Sequence, residues 1–94
     1  MYGRRIDDRM AVRTARIEVS IYGHRNHWSL APFEGGKDAR SVHVRLELHG
    51  DAGSGYMLVQ SPDGYFTADN WFVDEGDALD TAHEMYGVTA DDWT

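Results

Sequence analysis

The sequence predicts an α+β fold: an antiparallel sheet of four or five strands, run as a meander, with one C-terminal helix packed on one face as a two-layer sandwich. Three observations carry this. Thr14–Tyr22 and Arg40–His49 alternate apolar and polar residues with period two. A Pro-Asp-Gly turn at 62–64 joins two shorter β-like runs. A capped segment from 75 to 86 repeats apolar residues at helical spacing.

Residues 1–13, MYGRRIDDRMAVR, follow neither period and are mostly polar. They predict a disordered or loosely ordered tail ahead of a single domain over 14–94. Met10 offers an alternative start, with the first nine residues as an upstream extension. In Thr14–Tyr22, Ala15, Ile17, Val19 and Ile21 point one way, while Arg16, Glu18, Ser20 and Tyr22 point the other. That pattern predicts a half-buried strand. Gly23-His24-Arg25-Asn26 reads as a turn. His27–Phe33 reads as a short second strand with Trp28 and Leu30 on one face. Pro32 has no N–H, so this strand belongs at an edge or ends there.

Glu34–Asp38 is a loop. Arg40–His49 sets Val42, Val44, Leu46 and Leu48 inward and His43, Arg45, Glu47 and His49 outward; a helix would scatter both sets. The Gly-rich stretch 50–55 leads into Tyr56–Gln60, whose more continuous apolar run suits a central strand. Ser61-Pro62-Asp63-Gly64 is a turn because Pro presets φ and Gly accepts a positive φ. The strand from Tyr65–Thr67, reaching toward Trp71, pairs back as a hairpin.

The helix is expected over Glu75–Tyr86. Asp74 caps its first turn, and Asp77 sits where a capping box places an acid. Ala78, Leu79, Ala82, Met85 and Tyr86 form one stripe; Asp77, Asp80 and Glu84 form the opposite face. Gly87 ends the helix in the left-handed region and Val88 folds back onto it. Thr89–Trp93 is expected to be a turn with a docking tryptophan.

Charge is distributed unevenly. The net charge is −7, yet residues 1–16 carry +3, residues 17–62 carry −1, and residues 63–94 carry nine acids and no base. After Arg45 there is no Lys or Arg. The folded body therefore repels nucleic acid. No apolar run reaches membrane-spanning length, which argues against a membrane partner. The chain has no cysteine, so disulfides, thiol catalysis and thiolate zinc sites are excluded. A cytoplasmic location fits this composition.

Few residues are arranged for chemistry. His24 and His27 have an H-x-x-H spacing but no visible third ligand, and zinc needs three or four. His43 and His49 lie roughly 20 Å apart on one extended strand and cannot share an ion. No metal or cofactor is expected. The Gly-rich stretch lacks the Lys-Ser/Thr of a phosphate-binding loop. The serines have no nucleophile-elbow context. Arg16, Glu18, Tyr22, His43, Arg45 and Glu47 share the outer face and form an alternative ligand or acid–base face if they line a pocket. A solvated face of weak cross-strand ion pairs is the plainer account.

The acidic helix face of Asp77, Asp80 and Glu84 is the strongest signal outside the core. A field of one sign accelerates encounter with a basic partner. Trp28 and Phe33, near the long connection, are the aromatic candidates for a contact patch. An unpaired strand edge leaves room for a weak homodimer; otherwise a monomer is expected.

The run Asp69-Asn70-Trp71-Phe72-Val73-Asp74-Glu75-Gly76-Asp77-Ala78-Leu79-Asp80, continuing through Ala82, Glu84 and Tyr86-Gly87-Val88 to Asp92-Trp93, resembles the C-terminal helix segment of small bacterial proteins. Some of these are immunity-type or accessory proteins. The resemblance implies a capped, docked helix and brings no catalytic residue. It bears on the fold more than on any role; the acidic helix face or the open sheet face suggests a non-enzymatic module that binds a basic partner, of which an immunity- or inhibitor-like role is one version.

Overall fold

Two long strands form the spine of the molecule. The structure, a computed structural model, describes residues 11–94. β1 (Ala11–His24) pairs antiparallel with β3 (Ala39–Asp51), and the inner-facing partners include Ala15 with Leu46, Ile17 with Val44, and Val19 with Val42. β4 (Gly55–Pro62) and β5 (Ala68–Phe72) continue the sheet antiparallel beyond β3. β2 (His27–Ser29) folds back onto the far side of β1, so the five strands lie in the order β2-β1-β3-β4-β5. One helix, α1 (Glu75–Tyr86), follows β5, and a 3-10 turn spans Ala90–Asp92. The expected α+β architecture is thus present.

Period two places the core. Ile21, Val44, Leu46, Leu48 and Leu58 are wholly buried on the inner face, joined by Ala78, Ala82, Tyr86 and Val88 from the C-terminal segment. Burying each large apolar side chain contributes roughly 1.5–3 kcal/mol. α1 lies over β4 and β5. Ala78 and Ala82 face the sheet with no exposed surface, so small side chains let the helix approach closely.

Met85 departs from the expected stripe. It is 39% exposed, while Leu79 is half-buried against the core. The buried line is Ala78-Ala82-Tyr86, at i, i+4 and i+8. Met85 sits on the flank of that line and is partly open to solvent.

The helix ends are built as the sequence indicates. The Asp74 side chain accepts the Asp77 N–H at 2.9 Å, and Gly87 closes the helix with a left-handed φ of 73°. Asp77 makes no return bond of the capping-box kind among the described residues. Removing the cap with Asp74→Ala is expected to lower stability by about 1 kcal/mol, read from the denaturation midpoint. An unchanged midpoint would show that the helix end draws no support from this side chain.

Element boundaries differ from expectation in three places. β1 already begins at Ala11, three residues early, and the rest of the expected tail lies outside the described residues. β2 stops at Ser29 instead of Phe33. There Ser29 Oγ accepts the Ala31 N–H at 3.3 Å, turning the chain out of the sheet before Pro32. β5 begins at Ala68, not Tyr65. The Tyr65 N–H closes the turn onto the Pro62 carbonyl, and the Phe66 N–H donates to the Arg25 carbonyl at 2.8 Å. Residues 65–67 therefore bridge to the β1–β2 hairpin before the chain rejoins the sheet. Trp28 Nε1 donates to the Phe66 carbonyl at 2.8 Å and completes the bridge. These bonds curl the sheet, bringing β2 toward the start of β5.

Candidate functional site: an acid-rimmed cleft

The curl leaves a cleft of about 830 Å³ between the β1–β2 hairpin, the start of β5 and the last turns of α1. Its apolar walls include Trp28, Leu30, Phe66 and Met85. Phe66 is 56% exposed and Trp28 is half-buried. Asp69 and Glu84 contribute carboxylates, and no Lys or Arg lines the cleft. Neither carboxylate has an ion-pair partner among the described residues.

A buried amide lies in its wall. Gln60 is 2% exposed, on the inner side of β4 beside Leu58. Its Nε2 donates to Asn70 Oδ1 at 2.6 Å, and its Oε1 accepts the Tyr86 hydroxyl. Polar atoms withdrawn from water need such partners. Burial pushes the Tyr86 phenol well above its usual range, so it stays a hydrogen-bond donor. The network ties β4, β5 and the end of α1 together and holds the cleft wall in one shape.

The structure brings Trp28 and Glu84 to this cleft. Asp77 and Asp80 are exposed on the outward side of α1. Asp80 lines a separate hollow of about 450 Å³ with Arg13, His83 and Trp93. Phe33 does not line the cleft. Its ring is half-buried against Gly23 and Gly36, with its centroid 4.7 Å from that of His27. A Cβ on Gly36 would lie 2.5 Å from that ring, so only glycine accepts the aromatic there.

The six outer-face residues sit on adjacent strands and are largely engaged with one another or with near neighbours. Arg16 is directly opposite Arg45, and Glu18 opposite His43, while Tyr22 stands apart, opposite Ala39. Arg45 pairs with Glu47 at 2.7 Å, and Glu47 also meets His49 at 2.9 Å. Arg16 reaches Asp63 at 3.4 Å, and Glu18 accepts Ser41 Oγ at 2.8 Å. A hollow of about 380 Å³ is lined by Arg16 and Arg45 but by none of the other four. Exposed pairs of this kind contribute about 0–1 kcal/mol each. His24 and His27 are directly opposed across the hairpin. Among the described residues no group of three or more His, Asp or Glu is placed to hold a metal ion.

The sequence assigns no place in a site to Phe66, Met85, Asp69 or the Gln60–Asn70 pair, and Met85 reads as core. One signal was available: Gln60 shares the parity of Leu58, so period two places an amide on the inner face. Comparison with family models, curated proteins and solved structures gives no match.

Proposed function

We propose that this chain is a non-enzymatic interaction module that binds a basic partner at the acid-rimmed cleft, in an immunity- or inhibitor-like role. One observation carries the reading: apolar walls and two carboxylates face a cleft that no Lys or Arg of the described residues lines. An Arg or Lys side chain suits that combination. Its stem lies along Trp28 and Met85, and its charge meets Glu84 and Asp69. Asp77 and Asp80, exposed on the same helix, extend the negative field that draws such a partner in. A cytoplasmic location belongs to the same reading. Among the described residues, no helix is long and apolar enough to cross a membrane.

A short arginine-containing peptide tests this by NMR titration of the full chain. Shifts are expected at the amides of Asp69, Asn70, Glu84 and Met85. Asp69→Lys with Glu84→Lys should weaken binding about tenfold or more at low salt while the fold is kept. Equal binding by the wild type and the reversed variant would remove the proposal.

A further inference from the structure

The outer edge of β1 is only partly covered. Antiparallel strands send their backbone N–H and C=O groups to one neighbour and then, at the next residue, to the other. Thr14 sends both groups away from β3, exchanging bonds with Thr94 at 3.2 and 2.8 Å. Near the other end of β1, His24 closes the two-residue hairpin with His27. The β1–β3 register is unbroken from Arg13 to Tyr22. Alternation therefore directs Arg16, Glu18 and Ser20 to the same side as Thr14 and His24. Among the described residues, none of their backbone groups finds a partner there. The bare stretch is bounded by Thr94, beside Thr14, and by Ser29, opposite Tyr22.

A second copy does not suit this window. A twofold pairing that uses all three residues sets Glu18 against Glu18, and directly opposed like charges are unfavourable. Moving the axis to Ile17 would pair Arg16 with Glu18. It would also put the copy's Ser20 beside Thr14, where Thr94 already sits. The geometry asks for a strand of different sequence.

We propose that the bare edge of β1 takes an extended peptide segment of a partner protein as an added antiparallel strand, with Lys or Arg opposite Glu18 and an acid opposite Arg16. Main-chain bonds to an exposed edge supply affinity, and the alternate side chains supply specificity. Glu18 and Arg16 are both exposed on the outer face; each has one same-sheet or turn partner, Ser41 at 2.8 Å and Asp63 at 3.4 Å, and the solvent-facing remainder of each group can meet a residue of opposite charge. The peptide residues between those positions fall on the inner side, beside half-buried Ile17 and Val19, where β-branched side chains extend the apolar surface. The matching segment reads Ser-Val-Lys-Val-Glu. This edge does not depend on the cleft, because α1 lies over β4 and β5.

The full chain, isotope-labelled, is titrated with that peptide, acetylated and amidated at its ends. The amides of Arg16, Glu18 and Ser20 are expected to shift, and those of Asp69 and Glu84 to stay in place. The charge-exchanged peptide Ser-Val-Glu-Val-Lys should bind about tenfold more weakly. The double variant Arg16→Glu, Glu18→Lys should reverse that preference, which a misfolded chain cannot do. The proposal is overturned if those amides do not shift at millimolar peptide, or if the two peptides bind equally. Movement of the same amides on simple dilution, the sign of self-pairing, would also overturn it.

Discussion

Leu58→Ala is expected to lower the unfolding free energy by about 2–5 kcal/mol. Leu58 has no exposed surface and lies at the middle of β4, opposite Leu48 on one side and Asn70 on the other, in one of the two strands that α1 covers. Alanine removes the transfer free energy of the lost carbons and leaves a void. The facing helix cannot fill it, because Ala78 and Ala82 have no side-chain reach to spare. A domain of this size has a total stability of about 5–14 kcal/mol, so the loss is a large share. The denaturant midpoint should fall with little change in slope. A shift below about 0.5 kcal/mol would mean that helix and sheet do not share one core.

Tyr86→Phe is expected to cost about 1–3 kcal/mol. The substitution keeps the ring and its packing but takes away the hydroxyl that, alone among the described residues, donates to Gln60 Oε1. The amide oxygen of Gln60, a residue only 2% exposed, then loses its donor. Replacing Gln60 as well, with Met, removes the orphaned oxygen, and Asn70 is exposed enough to turn to water. The double variant should therefore recover part of the loss. A double-mutant cycle measures that coupling, and additive losses would show that the two side chains do not depend on each other.

How far the sequence spoke depended on the physics of each part. β1 and β3 were legible because one buried face enforces period two over many residues. α1 was legible from its cap at Asp74 and its stop at Gly87. Met85 was misplaced because the helix presents two alanines to the sheet, which narrows the covered stripe. The later start of β5 came from the bond between the Phe66 N–H and Arg25, a contact across 41 positions that local pattern does not encode. The cleft was half legible. Trp28 and Glu84 were singled out, but Phe66 and Asp69 join them only through the curl of the sheet.

β3 has a hydrogen-bonded neighbour on each flank for much of its length. Its amides between Val44 and Leu48 can trade protons with deuterated solvent only after whole-molecule opening, so they should be the last to lose signal. The short hairpin strand His27–Ser29, held on one flank alone, should be among the first.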